Sequence, residues 1–237
     1  MAKIDSHLVS LTAPASFAAE QYQGLRLTVE RLGRSRGVKV MAITSPAAGD
    51  GKTVTAINLA GALARGVDGR VLLVDADLRR PSIARQLALT DERVGLADAL
   101  ADNRRAISSV IRRFTDFNLD VIAAGTVRSG ISQALRSPRL DAFLTEARQH
   151  YTYIVLDTPP LLPVFDSALL ASSVDGVLMV VSANQTPRKL LGEALNMLEP
   201  SKVLGIVFNR DERPLFGYYN SYYREYFPDV SQAASGA

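Results

Sequence analysis

Three short segments carry residue types that could act together on one ligand. The first is Ser45-Pro46-Ala47-Ala48-Gly49-Asp50-Gly51-Lys52-Thr53. Glycines let backbone N–H groups curl round a phosphate, a lysine bridges terminal phosphates, and a neighbouring hydroxyl can ligate magnesium. On that reading Ala48, Gly49, Asp50, Gly51, Lys52, Thr53 and Val54 cradle the phosphates, and Thr53 also meets the metal. Pro46 stands where the usual pattern has its first glycine, and taken alone the string also fits a glycine turn between a strand and a helix.

The second segment runs Val71-Leu72-Leu73-Val74 into Asp75-Ala76-Asp77-Leu78-Arg79-Arg80-Pro81, which sets two carboxylates at i and i+2 past an apolar run. The third, Tyr153-Ile154-Val155-Leu156-Asp157-Thr158-Pro159-Pro160, repeats that layout. Carboxylates at the C-terminal end of a buried strand can hold magnesium or take a proton from a hydroxyl nucleophile. The expected metal ligands are Thr53, Asp75 and Asp157, and the expected catalytic residues are Lys52, Asp75 and Asp77. Either Asp75 or Asp77 suits the part of base. An acidic turn capping the next helix would account for each string alone, but not for three complementary strand-end motifs in order. Together they point to a bound nucleotide, ATP or ADP with Mg2+.

Elements that could position these motifs are legible around them. Short β-branched or apolar runs recur near 39–45, 70–77, 119–125, 151–157, 175–183 and 202–209. Most lack alternation, as strands buried on both faces of a parallel sheet do. Helix-like stretches at 55–66, 137–151 and 186–198 lie between them, the last with Thr186 as an expected N-cap and Pro187 in the first turn. Such alternation predicts an α/β fold, a doubly wound and mostly parallel sheet flanked by helices. Phe17, Tyr22, Leu25 and Val29 are spaced for a helix over 16–33 that ends at Gly33. The expected division is a flexible N-terminus over 1–15, a nucleotide-binding domain over 16–212, and a tail over 213–237 that finishes in SQAASGA.

Composition narrows the class. The chain has 237 residues, 47% hydrophobic and 22% charged, enough for a substantial core, and with no cysteine it can have neither disulfides nor a thiolate-bound metal. No apolar run nears the roughly 20 residues needed to cross a bilayer. The net charge of +3 comes without a basic run, so no nucleic-acid partner is expected. A cytoplasmic protein is expected, reaching a membrane only through a partner.

The pairing of SPAAGDGKT with VLLVDADLRRP and YIVLDTPP resembles the bacterial tyrosine kinases of the capsular and exopolysaccharide type, P-loop proteins unrelated to eukaryotic protein kinases. The likeness covers nearly the whole chain, and Asp75, Asp77 and Arg79 match that family's Asp-x-Asp-x-Arg motif. It implies that Asn209 sits near the adenine, although a strand-end turn would also use an asparagine. It implies too that Tyr218, Tyr219, Tyr222, Tyr223 and Tyr226, in FGYYNSYYREYF, accept phosphate in a neighbour's active site. The spacing of 218, 222 and 226 equally fits an aromatic docking stripe. Further implications are a homo-oligomer, in ring form, through the N-terminal helix and tail, an activating cytoplasmic tail of a membrane polysaccharide co-polymerase-like protein at the inner face of the plasma membrane, and an opposing phosphotyrosine phosphatase. Departures are clear: the family's Glu-x-x-Arg-x-x-Arg reads Glu20, Gln23, Arg26, and GTVRSGISQALRS replaces a stretch usually rich in Pro and Asn. Two rival readings are a ParA- or MinD-like ATPase switch, disfavoured by Ala47 where those proteins carry a signature lysine, and a nucleotide-binding scaffold with an aromatic docking tail.

Overall fold

The computed structural model describes residues 3–66, 69–89, 94–102, 104–114, 117–126 and 130–211. In chain order its elements are α1 (Val9–Thr12), α2 (Phe17–Arg36), β1 (Val40–Thr44), α3 (Lys52–Gly66), β2 (Val71–Asp75), α4 (Ile83–Gln86), α5 (Leu96–Ala101), β3 (Ile111–Phe114), β4 (Leu119–Ile122), α6 (Ile131–Leu135), α7 (Pro138–His150), β5 (Tyr153–Asp157), α8 (Asp166–Ser173), β6 (Gly176–Ser182), α9 (Arg188–Asn196) and β7 (Val203–Asn209). The strands form one sheet in the order β3-β4-β2-β5-β1-β6-β7, parallel except for the β3–β4 pair.

Strands without alternation are explained by the two cores they serve. Val40 and Ala42, Leu72 and Val74, and Ile154 and Leu156 face the layer that holds α5, α7 and α8. Their neighbours Met41 and Ile43, Val71 and Leu73, and Tyr153 and Val155 face the layer of α1, α2 and α3. Side chains alternate with a period of two, so a strand covered on both faces must be apolar at every position. β3 gives no such signal. Its IRRF carries arginines in mid-strand, as an edge strand with one covered flank allows, and the sequence reading passes over it. At the other edge β7 leaves Phe208 63% exposed.

Two expectations about the N-terminus change. The first long helix runs past Gly33 to Arg36 and stops at Gly37, whose φ of 70° is left-handed and whose N–H reaches back to the Gly33 carbonyl. Gly33 is needed for another reason, since a Cβ there would lie 2.6 Å from the Tyr153 hydroxyl oxygen. Within residues 1–15, expected to be flexible, the stretch from His7 to Leu11 packs on α3. Leu8 and Leu11 are buried there, and Asn58 of α3 accepts from Ser10 N (2.8 Å) while donating to the carbonyls of His7 (2.9 Å) and Val54 (3.0 Å). A buried helical amide with spare bonding capacity can hold a strand of chain that has little periodicity of its own.

Asn58→Ala should therefore lower stability by about 2 kcal/mol, because it strands the buried Ser10 N–H and removes the part-buried bond to the His7 carbonyl. Urea unfolding measures the loss, and hydrogen exchange should show the protection of residues 8–12 falling before that of α3. Equal protection in the variant would show that burial of Leu8 and Leu11 alone secures the segment.

Candidate functional site

The order and register of the central strands bring the three motifs to one edge. β2, β5 and β1 are neighbours, with Asp75 opposite Asp157 and Asp157 opposite Ile43. Neighbouring strands lie about 4.8 Å apart, so the last residues of β2 and β5 stand beside the loop that leaves β1. That loop enters α3 directly, so Lys52 and Thr53 open the helix and the free N–H groups of its first turn face the same edge.

The loop is shaped by its own side chains. Gly49 and Gly51 take φ of 95° and 90°, a region that disfavours side chains. Asp50 is buried, and it folds the loop instead of lining the cleft: Oδ2 accepts from Ala47 N (3.1 Å) and Oδ1 from the Thr186 hydroxyl (2.6 Å). Thr186 is thereby diverted from the capping part expected of it. Pro187 takes the N-cap position of α9 in extended backbone with no side-chain cap bond, and Thr186 Oγ1 also accepts from Ser182 N. Asn209, at the end of β7, donates from Nδ2 to the Asp50 carbonyl (2.9 Å) and leaves no space for a Cβ on Gly51. It thus sits against the loop backbone.

Lys52 is the centre of the charged cluster. Its Nζ is 2.7 Å from Asp77 Oδ2 and 3.4 Å from Asp157 Oδ1. Burial by itself would push the ammonium's pKa down, but Asp157 and Asp77 more than offset that and hold it raised. The Thr53 hydroxyl donates to the other Asp157 oxygen (2.6 Å). Asp157 is fully buried and its pKa is pushed up to about 6 by desolvation, against the pull of Lys52 and Thr53. Asp75 is pushed up to about 7, by desolvation first and by the charge of Asp157 second. One oxygen of Asp75 accepts from the N–H groups of Ser82 (3.1 Å) and Ile83 (3.0 Å), and the other has no hydrogen-bond partner among the described residues.

A cleft of about 630 Å³ opens beside this cluster, lined by Ala48, Gly49, Gly51, Lys52, Thr53 and Val54 on the loop side and by Asp77, Arg79, Arg80 and the Pro159-Pro160 wall on the other. Most of the expected phosphate cradle thus lines one cavity, whereas Asp50, Asp75, Asp157 and Asn209 do not line it. Of the expected metal ligands Thr53 and Asp157 are in direct contact, and Asp75 is drawn away toward α4. Three carboxylates face one ammonium here, a surplus of negative charge that suits a divalent cation. Among the described residues no group of three or more His, Cys, Asp or Glu could hold a metal unaided. Thr53 and Asp157 could serve magnesium, which takes one or two carboxylates and completes its shell with phosphates and water. Sequence reasoning missed Asp166, which binds Arg79 from the start of α8, and Arg210 and Gln86 at the cleft. No spacing rule flags them, because they arrive from separate loops. The five tyrosines from Tyr218 to Tyr226 lie outside the described residues.

The raised carboxylates give a testable pH dependence. A carboxylic acid with a folded-state pKa above its ordinary value near 4 binds more protons folded than unfolded, so its contribution to stability is full below about pH 4 and is lost as pH rises toward 7. In the absence of nucleotide and divalent metal the melting temperature should fall between pH 5 and pH 8. Asp75→Asn should flatten that slope, and an unchanged slope would place the strain elsewhere. Gly51→Ala should abolish nucleotide binding, since the new methyl group collides with the Asn209 amide at a left-handed φ. Fluorescent ADP titration measures it.

Known proteins resemble this chain over most of its length. Residues 38–200 match the family model described as an AAA domain. The tyrosine-protein kinase YwqD of Bacillus subtilis is 30% identical over 224 residues, covering 92% of this chain and 93% of that protein. The succinoglycan biosynthesis transport protein ExoP of Rhizobium meliloti is also 30% identical, over 90% of this chain but 28% of its own length. Among solved structures, the chimerical protein CapA2B2 superimposes with a TM-score of 0.81 at 28% identity, covering 89% of this chain and 93% of that one. A family model that spans most of the chain and a tyrosine-protein kinase matched at 30% identity over nearly its whole length show that the chain belongs to the AAA-domain P-loop proteins and, within them, to the bacterial tyrosine-protein kinases.

Proposed function

We propose that the chain is an ATP-dependent protein-tyrosine autokinase that phosphorylates its own C-terminal tyrosine cluster and regulates capsular or exopolysaccharide synthesis or export. The observation that carries this reading is the Lys52 cluster at the cleft, with a buried ammonium shared between Asp77 and Asp157 beside the Thr53 hydroxyl. Phosphoryl transfer requires mainly positioning and charge neutralisation, which loop amides, Lys52 and a bound cation supply. Thr53 and Asp157 would hold magnesium, which when bound offsets charge on the phosphates. Between the two candidate bases the geometry favours Asp77, which lines the cleft, over Asp75, which is fully buried and bonded to α4. Lys52 and Asp77 are matched in a second way. A lysine that leaves Asp77 for a phosphate oxygen frees that carboxylate to accept the tyrosine proton.

The partners follow from the same reading. ExoP, named as a transport protein, matches this chain over a minor part of its length, which supports a link between such domains and polysaccharide export machinery. For this chain we infer activation by the cytoplasmic tail of a membrane co-polymerase-like protein, recruitment by it to the inner membrane face, and reversal by a phosphotyrosine phosphatase. No helix among the described residues is long and apolar enough to cross a membrane. A ring assembled through α2 would need its arginine. Arg26 is bonded to Gln23 (2.8 Å) and Glu30 (2.6 Å) of its own helix, so assembly by that route has to break an intrahelical pair first.

Lys52→Met should abolish ATP turnover and phosphotyrosine formation while circular dichroism stays unchanged. Replacing all five tail tyrosines by Phe should remove most incorporated phosphate and spare ADP binding, as mass spectrometry and nucleotide titration would show. Phosphate at an unchanged level in the five-fold variant, or found chiefly on Tyr22, Tyr151 or Tyr153, would turn the tail into a docking segment. ATP hydrolysis with no phosphotyrosine under any condition would favour the ATPase-switch reading.

A further inference from the structure

The segment after β5 is fastened at several points. The hydroxyls of Thr44 and Ser167 both donate to the Pro159 carbonyl, and Leu161 N donates to Ser45 O (2.8 Å). The segment ends in Asp166, the first residue of α8 and 1% exposed. Its Oδ2 accepts from Arg79 Nε at 2.5 Å, and its Oδ1 lies 3.4 Å from Arg79 Nη2. A two-point grip of this kind fixes the plane of a guanidinium as well as its position. Arg79 sits two residues beyond Asp77 and lines the same cleft as Lys52 and Thr53, with 41% of its side chain exposed.

A buried carboxylate paired with arginine adds little net stability, because desolvation offsets most of the attraction. The pair has a clearer use in the cluster it borders. Asp77 has two cations near it: Lys52 in contact, and Arg79, whose charge it also stabilises. Without Asp166, Asp77 remains a charge partner that Arg79 and Lys52 share.

We propose that Asp166 is a positioning residue for phosphoryl transfer. It holds the Arg79 guanidinium at the cleft wall as a second cation, supplied in cis, for the transferring phosphoryl group, and it keeps Arg79 from competing with Lys52 for Asp77. The proposal rests on the kinase reading above, which puts the terminal phosphates in this cleft. It adds no chemical step, since Arg79 remains protonated throughout.

The test compares the full chain with Asp166→Asn, Arg79→Lys and the double variant. Each is assayed for kcat and KM in tail phosphorylation and in ATP hydrolysis, for MgADP affinity, and for melting temperature. Each single change should lower kcat on the order of 100-fold, with KM for ATP and MgADP affinity within about threefold. The double variant should be no slower than the slower single one, as residues that act as a unit behave. Low concentrations of guanidinium ion should partly restore Arg79→Ala. An unchanged kcat in Asp166→Asn, multiplying losses in the double variant, or a loss that tracks a fall in melting temperature would overturn the proposal. If the unmutated chain hydrolyses ATP without forming phosphotyrosine, the kinase reading fails and the clasp is judged on hydrolysis kcat alone. If it does neither even with an activating membrane-protein tail supplied, both fail. Normal phosphotyrosine formation in Asp166→Asn would sink the clasp and leave the kinase reading standing.

Discussion

The structure of this edge of the sheet depends on one electrostatic constraint: a single buried ammonium facing more carboxylate than it can neutralise. Lys52 contacts Asp77 and Asp157, and Asp75 stands beside Asp157 across the β2–β5 ladder. Such an arrangement is tolerable only if charge is removed or added. Proton uptake is one answer, since burial first, and for Asp75 the charge of Asp157 second, raises the pKa of Asp75 and Asp157 above the ordinary carboxylate range. A metal–nucleotide complex would meet it differently, the cation offsetting the carboxylates and the phosphates drawing Lys52 away. The same constraint makes the site receptive to such a complex.

The surrounding fold serves to hold that imbalance in place. Parallel pairing puts the ends of β2, β5 and β1 side by side, and two apolar layers prevent the strands from sliding to relieve the repulsion. Asp50 meanwhile ties the loop to Thr186, and Asn209 ties it to the end of β7. Both fastenings use side chains at the ends of strands or loops, where backbone groups are spare.

Much of this was legible in the sequence because it depends on local pattern. Lys52 and Thr53 follow a glycine loop, Asp75 and Asp157 follow apolar runs, and strands buried on two faces must be apolar throughout, so six of the strands could be placed by eye. What escaped depends on contacts between distant segments. Asp50 reads as a phosphate neighbour but finds Thr186, which lies 136 residues on. Thr186 reads as a cap because Pro187 follows it, yet its hydroxyl is taken by that carboxylate. The residues before Ser16 have no periodicity and acquire order from Asn58, and β3 is hidden by its arginines. Asp75 and Asp77 looked interchangeable in spacing, and only their environments separate them, one bonded beneath the cleft and one lining it.

The bond from Asn209 to the Asp50 carbonyl has a mechanical meaning. Asn209 is the last residue of β7, and Arg210 lines the cleft immediately after it. The polypeptide beyond therefore departs from a point anchored to the phosphate loop itself. Tension on that polypeptide, whether from a docking partner or from charge repulsion, acts first on Asn209 and through it on the turn at Gly51, where a left-handed backbone has little freedom to yield. The end of β7 is in that sense a tether point, and a pull on the chain would be felt at the loop as well as at the end of β6, where Ala183 N holds the Asn209 carbonyl.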